Sequence, residues 1–298
     1  MKATVNVDGR ITPAEDARVS VFDHGFLFGE GVYETLRTYN GQPFLFDRHA
    51  ERLRASASRI ALRVPLTDDV LLDQVRATID ALSPAGETYI RILLTRGAGE
   101  IVYEPAACPQ PTVVIITKPF VPPPPSVYSN GMKVALVSIR RNHPAALDPL
   151  IKSNNLLNNA LAMQEAYTRD ADEALMLNHR GELAECSQSN FFLVRDGVAL
   201  TPPLETGVLA GITRAFVMEM GASIGVEIRE ATLTPDDLPG ADEAFVTSTT
   251  REVAPVTRID DAIVGHGVPG PATLRLLEAY RLKAASLTAP VPSGANPR

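Results

Sequence analysis

The chain has 298 residues, of which 45% are hydrophobic and 21% are charged; this is the composition of a globular protein with one large domain or two modest ones. Its formal net charge of −7 argues against a nucleic-acid-binding surface and favours a soluble, cytoplasmic protein. The two cysteines form no CxxC pair, which suits a reducing compartment. Because the sequence has no apolar signal segment and no apolar run of membrane length, we expect neither a leader peptide nor a membrane partner.

A proline-rich stretch at 119–130, with four consecutive prolines at 122–125, divides the chain. Consecutive prolines fit neither a helix interior nor a central strand, and they favour an extended linker. We therefore predict a small N-terminal domain over 1–118 and a larger domain over 131–288. Residues 289–298 are rich in Pro, Gly, Ser and Ala and are predicted to form a disordered tail.

Strand and helix patterns alternate before the linker. Turn pairs at Asp8-Gly9 and Asn40-Gly41 predict two β-hairpins, with 44–46 as the return strand of the second. Thr67 is predicted to cap a helix whose apolar stripe would be Val70, Leu71, Val75 and Ile79. The remaining predictions in this half are a helix at 47–60 and buried strands at 89–95 and 113–117.

Both patterns continue after the linker. A helix is predicted over 154–167 with Leu157 and Leu161 on its inner face, and another begins at Thr213. The last predicted helix covers 273–287, and the predicted short strands are 133–139, 174–177, 183–185, 191–194 and 245–247. Strands and helices in both halves predict an α+β or α/β fold with two domains.

Two charged residues stand out by their surroundings. Lys152 follows the apolar Pro149–Ile151 and precedes an amide-rich run at the predicted start of a helix, and Glu185 ends a predicted strand. A lysine amine can form a Schiff base with an aldehyde cofactor, and a carboxylate can hold a proton on a pyridine nitrogen. Taken singly, each residue also fits an ordinary surface position.

A phosphate group needs amide, hydroxyl or cationic donors, and three segments supply them. The sequence around Gly211, Ile212 and Thr213 predicts a helix N-terminus with free amides and a hydroxyl. Ser248-Thr249-Thr250 adds hydroxyls after a strand, and Arg52 adds a cation. Each of these also has an ordinary structural interpretation. The histidines, at positions 24, 49, 143, 179 and 266, show no metal-ligand spacing.

Six segments carry a family resemblance in a fixed order: Phe22–Glu34 (FDHGFLFGEGVYE), His49–Leu53 (HAERL), Lys152–Asn155 (KSNN), Glu182–Glu185 (ELAE), Gly211–Arg214 (GITR) and Thr249–Val256 (TTREVAPV). Together they resemble the class IV aminotransferases, the fold-type-IV pyridoxal phosphate enzymes. The resemblance runs from about residue 8 to residue 256. It implies a two-domain α/β fold whose larger domain binds pyridoxal 5′-phosphate.

The resemblance also implies roles for individual residues. Lys152 would form the Schiff base and then move the proton between the substrate α-carbon and the cofactor C4′. Glu185 would pair with the pyridine nitrogen. The implied phosphate ligands are Arg52, Thr249 and the amides of Ile212 and Thr213. Members of the family are homodimers, and the implied loop that completes the partner's site is 97–103.

Within the family, the chain resembles branched-chain aminotransferases at its implied substrate-binding residues, Tyr33, Arg37, Tyr89, Arg91 and Thr250. D-amino-acid aminotransferases carry an arginine and a histidine where this chain has Ile101 and Tyr103. Two features point the other way, because Leu156 replaces a usual tyrosine and Ser248-Thr249-Thr250 resembles the D-amino-acid pattern.

These features favour an L-amino-acid transaminase that takes an apolar, branched-chain donor and 2-oxoglutarate as acceptor. The alternatives are a D-amino-acid or (R)-amine transaminase and a lyase similar to the aminodeoxychorismate lyases. A non-catalytic binding protein on the same fold is disfavoured because both Lys152 and Glu185 are present.

Overall fold

The structure is a computed structural model that describes residues 2–289, so the predicted tail, apart from Ala289, lies outside the described residues. The first half of the chain forms a six-stranded antiparallel sheet in the order β2-β1-β6-β5-β3-β4. Its strands are β1 (Thr4–Val7), β2 (Arg10–Pro13), β3 (Gly31–Tyr39), β4 (Gln42–Pro43), β5 (Thr88–Thr95) and β6 (Thr112–Pro119). The helices of this half are α1 (His24–Leu27), α2 (Phe46–Arg59) and α3 (Asp68–Leu82).

Helices α2 and α3 cover one face of this sheet. Leu36 and Ile90 from the sheet pack with Leu53 and Val75 from the helices in one apolar core. Side chains alternate along β3, because successive residues of a strand point to opposite faces. The alternate residues Tyr33 and Thr35 therefore face away from the helices, toward the second half of the chain.

The second half forms a nine-stranded mixed sheet in the order β12-β11-β10-β13-β14-β7-β8-β9, with β15 paired to β14. Its strands are β7 (Met132–Leu136), β8 (Glu173–Leu177), β9 (Leu183–Cys186), β10 (Asn190–Arg195), β11 (Val198–Thr201), β12 (Glu227–Glu230), β13 (Glu243–Ser248), β14 (Glu252–Ile259) and β15 (Ala262–Ile263). Its helices are α4 (Ser126–Ser129), α5 (Leu157–Thr168), α6 (Ile212–Gly221) and α7 (Pro271–Leu287).

The central strands of this second sheet are buried on both faces. On β10, Phe191 and Leu193 enter one apolar core while Phe192 and Val194 enter another. A strand covered on both faces has a continuous apolar run, without polar alternation. The described part of the chain contains no helix that is long and apolar enough to cross a membrane.

The two halves join where the chain approaches Lys152. The Tyr33 amide donates to the Lys152 carbonyl at 2.9 Å, and the Asn154 amide donates to the Gly31 carbonyl at 2.9 Å. Lys152 therefore lies in an extended segment paired with the start of β3. The prediction that Lys152 opens a helix is wrong, because α5 begins only at Leu157.

Two local predictions also need correction. The second hairpin returns through Gln42–Pro43 rather than 44–46. Phe44 and Phe46 instead enter separate cores on either side of Leu45, which has a left-handed φ of 52°. Val70 is 44% exposed, so it does not belong to the buried stripe of α3, although Thr67 does cap that helix.

The predicted inner face of α5 is wrong as well. Leu157 and Leu161 are 66% and 42% exposed. The buried residues are Ala162, Met163 and Ala166, which pack against the sheet with Ala174 and other small side chains. Small residues allow a helix to approach a sheet closely, so the larger leucines remain on the outer face.

Candidate active site

A cavity of about 530 Å³ lies between the two sheets. Ten of the eleven predicted site residues line it, namely Tyr33, Arg52, Tyr89, Arg91, Lys152, Glu185, Ile212, Thr213, Thr249 and Thr250. The structure therefore brings together residues from both halves of the chain. Arg37 alone among the predicted residues is absent from the lining.

Lys152 is fixed by its main chain, which leaves its amine in the cavity. The Lys152 amide donates to Ser56 Oγ at 3.1 Å, and its carbonyl accepts the bond from β3. The Nζ atom lies 4.5 Å from the centroid of the Tyr33 ring. Within residues 2–289 no carboxylate pairs with this amine, so the amine is available to react with a carbonyl group.

Glu185 is a buried carboxylate at the end of β9. Its Oε1 atom accepts from Arg141 Nε at 2.7 Å, and its Oε2 atom accepts from the Leu209 amide at 2.9 Å and from Asn190 Nδ2 at 3.2 Å. These donors compensate the burial of the charge. They also fix the carboxylate in the cavity wall, where it can accept a hydrogen bond from a protonated nitrogen.

Arg141 is a site residue that sequence reasoning missed. It lines the cavity, and its side chain is only 9% exposed. Its Nη1 atom also donates to Asn158 Oδ1 at 3.3 Å. The neighbouring Arg140 is exposed, and nothing in the local sequence distinguishes these two arginines.

Two further segments of the cavity lining have unpaired main-chain amides. Gly211 is the N-cap of α6 and no side chain caps this helix, so the amides of Ile212 and Thr213 have no intrahelical partner. The main-chain amides of Thr249 and Thr250 also donate to no acceptor within the described part of the chain. Free amides at a helix N-terminus and in a turn bind an anion such as phosphate or carboxylate.

Arg52 reaches the cavity from α2. Its Nε and Nη2 atoms bind Glu34 at 2.7 and 2.8 Å, and Nη1 binds the Ala210 carbonyl at 2.9 Å. His49 Nδ1 lies 2.6 Å from Glu34 Oε2, the oxygen that also accepts from Arg52 Nη2. Burial on its own raises the pKa of Glu34, but Arg52 and His49 outweigh it and lower that pKa. Burial lowers the pKa of His49.

The cavity wall formed by β3 and β5 carries aromatic rings and one cation that has no carboxylate partner. The Arg91 guanidinium lies 4.1 Å from the centroid of the Tyr33 ring, and Tyr89 lies two positions away on the same strand. No carboxylate within residues 2–289 pairs with Arg91. Leu156 lines the cavity as well, while Ile101 and Tyr103 are 61% and 87% exposed on the surface.

Arg37 is directed elsewhere although it lies on the same face of β3 as Tyr33. Its guanidinium lies between the rings of Tyr39 and Phe120, at 4.1 and 3.8 Å from their centroids, and pairs with Glu252 at 3.4 Å. The structure therefore does not bring Arg37 together with the other predicted substrate-binding residues.

Comparison with known proteins assigns the family. The model of the family described as amino-transferase class IV matches residues 31–259. The chain belongs to the class IV aminotransferases. It is 37% identical over 277 residues to the putative branched-chain-amino-acid aminotransferase of Methanocaldococcus jannaschii, which covers 93% of this chain and 95% of that protein.

Other relatives differ in the substrates that their names state. The D-alanine aminotransferase of Listeria innocua is 37% identical over 284 residues, which is 93% of each protein. The structure of the branched-chain amino acid aminotransferase of Thermobaculum terrenum, in its pyridoxal phosphate form, matches with a TM-score of 0.85 at 29% identity, over 95% of this chain and 94% of that one. This class IV chain is therefore an aminotransferase, an enzyme whose substrates are amino acids and 2-oxo acids.

Class IV aminotransferases use pyridoxal phosphate, and the cavity of this family member has groups that suit the aldehyde, the pyridine nitrogen and the phosphate of that cofactor. These groups are the Lys152 amine, the buried Glu185 carboxylate, and the free amides of the turn and of the helix N-terminus. The Thr247 hydroxyl is buried in the cavity wall with no partner in the described range. A buried polar atom without a partner is rare. The donor set therefore fits pyridoxal phosphate.

Proposed function

We propose that this class IV aminotransferase moves the amino group of an apolar, branched-chain L-amino acid to a 2-oxo acid such as 2-oxoglutarate. The observation that carries this proposal is the uncommitted Arg91 guanidinium on the cavity wall. An acceptor with a second carboxylate would form a charge-assisted, two-point contact with it. The free amides of Thr249 and Thr250 would hold the carboxylate common to both substrates.

The same wall also suits an apolar side chain. Tyr33, Tyr89 and Leu156 present ring and alkyl surface to the cavity, and the burial of apolar area favours binding of a branched side chain. After the amino donor has left the cavity as its 2-oxo acid, the Arg91 guanidinium would bind the second carboxylate of the acceptor. This dual use explains why an apolar pocket would keep a free cation.

Pyridoxal phosphate would be held by Lys152, Glu185, Arg52, Thr249 and the amides of Ile212 and Thr213, and would supply an electron sink for the bond at the substrate α-carbon. Lys152 would take the proton from the substrate α-carbon as a general base and would then deliver it to the cofactor C4′ as a general acid. Glu185 would hold a proton at the pyridine nitrogen. Arg141, Asn190 and the Leu209 amide keep the Glu185 carboxylate in place for that task.

The active enzyme is proposed to be a homodimer with shared active sites. The loop at 97–103 exposes Ile101, Val102 and Tyr103, and the neighbouring Phe26 is 70% exposed. The loop is fixed to its own subunit, because His24 Nε2 lies 2.8 Å from the Glu100 carbonyl. An exposed apolar patch on a fixed loop suits contact with a second copy of the chain. Light scattering on purified protein would give twice the chain mass if this proposal holds.

A D-amino-acid transaminase is the second candidate. The D-alanine aminotransferase relative and the Ser248-Thr249-Thr250 sequence favour it, as does Leu156 in place of a tyrosine. A steady-state screen separates the candidates by supplying 2-oxoglutarate with either enantiomer of leucine and alanine, and measuring glutamate. Glutamate formed only from L-leucine supports the proposal, whereas product from D-alanine alone selects the second candidate. Pyruvate released from aminodeoxychorismate without amino transfer would select a lyase.

A further inference from the structure

Glu173, at the start of β8, is a fully buried carboxylate next to residues of the cavity wall. It is 0% exposed. Its Oε1 atom accepts from the Ser187 hydroxyl and from the Ala174 amide at 3.0 Å. Its Oε2 atom accepts from the Ser189 hydroxyl at 3.3 Å and from Arg251 Nη1. Arg251 is the one cation that pairs with this carboxylate among residues 2–289.

The side chains that donate to Glu173 come from two segments, each of which contributes residues to the cavity wall. Ser187 and Ser189 follow Glu185 in the chain, and both line the cavity. Arg251 comes directly after Thr250, in the turn from β13 to β14. One buried carboxylate therefore connects the segment beside the pyridine-nitrogen partner to the turn with the free amides.

The turn itself needs outside support. It consists of residues 249–251 and is closed by the Arg251 amide, which donates to Ser248 Oγ at 3.2 Å. Glu252, the next residue, has a φ of 58°, a left-handed conformation that a residue with a side chain adopts only when its surroundings hold it. Its carboxylate binds Tyr39 Oη at 2.8 Å and Arg281 Nε at 2.7 Å. Ion pairs thus hold both Arg251 and Glu252.

We propose that Arg251 and Glu173 are positioning residues that set the direction of the Thr249 and Thr250 amides. The inference rests on the proposed role of this turn in binding the substrate carboxylate and the cofactor phosphate. Anion-binding amides work only when their N–H groups converge on one point, and the hydrogen bond that closes this turn, from the Arg251 amide to Ser248 Oγ, does not engage the Thr249 or Thr250 amide. The Arg251 guanidinium is 21% exposed and bound to a fixed partner, so it holds the end of the turn in place.

The test compares Arg251→Met with the double variant Glu173→Gln/Arg251→Met and with the control Arg229→Met. Arg229 is 61% exposed in a surface pair with Glu227. Three quantities are measured: the KM of the holoenzyme for 2-oxoglutarate and for L-leucine, the affinity of the apo-protein for pyridoxal phosphate by titration, and the melting temperature of the apo-protein.

Arg251→Met is expected to raise both KM values about tenfold or more, with a smaller change in kcat, because it weakens the binding of substrate carboxylates. It should also weaken pyridoxal phosphate binding and lower the melting temperature, since it leaves Glu173 as an unpaired buried charge. The double variant removes that charge, so its melting temperature should recover while its KM values stay high. Arg229→Met should match the wild type in all three measurements.

Recovery of the KM values together with the melting temperature in the double variant would show a purely structural ion pair and overturn the proposal. Wild-type KM values in Arg251→Met would overturn it as well. Failure of the proposed function is separate, because the wild-type protein would then fail to bind pyridoxal phosphate or to convert L-leucine.

Discussion

Arg141 and Glu185 form a buried ion pair, with 2.7 Å between Nε and Oε1. Both residues line the cavity, where Glu185 presents a fixed carboxylate and Arg141 compensates its charge. Neither partner has much access to solvent, since their side chains are 9% and 7% exposed. The loss of one partner therefore affects both the chemistry and the stability of the protein.

Glu185→Ala should lower kcat by about a hundredfold or more, the usual cost of removing one electrostatic group from an active site. Cofactor should remain bound through Lys152 and the anion site. The variant should also unfold more easily, because Arg141 is left buried and unpaired. Glu185→Ala/Arg141→Met should regain stability but not turnover. Normal turnover in Glu185→Ala would refute the role assigned to the carboxylate.

Arg91→Leu should lower activity with an acceptor that has two carboxylates more than activity with an acceptor that has one. A hydrogen-bonded contact to a charged group contributes about 1.5–3 kcal/mol, so kcat/KM for 2-oxoglutarate should fall roughly 10- to 100-fold. A branched-chain 2-oxo acid, which has no second carboxylate, should lose little and serves as the internal control. An equal loss for both acceptors would mean that Arg91 supports the pocket rather than the second carboxylate.

Gly211→Ala should disturb two parts of the cofactor site, the helix start at Gly211 and the surroundings of Glu185. A Cβ atom at this position would overlap Asn190 Oδ1, and Asn190 also donates to Glu185. We expect weaker pyridoxal phosphate binding and a stability loss of about 1–3 kcal/mol, typical of overpacking. Gly86→Ala is the matched control, since a Cβ there meets no atom within 4 Å. Unchanged cofactor affinity in Gly211→Ala would contradict this close packing.

Much of the site is readable from local sequence because its residues occur in short ordered segments. The Gly211–Thr213 helix start and the end of the strand at Glu185 need only neighbouring residues, and both are where the patterns place them. Strand β5, Thr88–Thr95, also lies within one residue of its prediction. Apolar periodicity and helix-start signals are local, so a single sequence contains them.

Contacts between distant parts of the chain could not be predicted in this way. Arg141 pairs with Glu185, 44 positions away, while Arg140 beside it is exposed. Arg37 binds Glu252, 215 positions away, although its place on the strand suggests a substrate contact. Leu157 has an apolar side chain but is exposed, because α5 packs against the sheet through the face that carries Ala162 and Ala166.

Glu34→Gln should make stability less sensitive to acid. The pKa of Glu34 is lower in the folded protein than its ordinary value, because Arg52 and His49 outweigh the effect of burial. The folded state therefore binds fewer protons, so the carboxylate adds stability above its unfolded pKa of about 4.3 and loses it as the pH falls toward the folded pKa.

Apo-protein unfolding, measured in denaturant from about pH 6 to about pH 3, checks this prediction. Glu34→Gln should be less stable than wild type near neutral pH, and the difference should narrow as the pH falls. Glu227→Gln, which alters an exposed pair, should follow the wild-type slope. Parallel curves for Glu34→Gln and wild type would show that Glu34 contributes no linked stability.

The half-reaction with a single amino donor tests the central claim most directly. The purified protein is loaded with pyridoxal phosphate and mixed with L-leucine or D-alanine, without an acceptor, while the absorbance of the bound cofactor is followed. We expect that L-leucine converts the bound cofactor to the pyridoxamine form, that D-alanine does not, and that Lys152→Ala shows no conversion with either donor. Conversion by D-alanine but not by L-leucine, or a wild-type protein that remains colourless after pyridoxal phosphate is added, would contradict the proposed function.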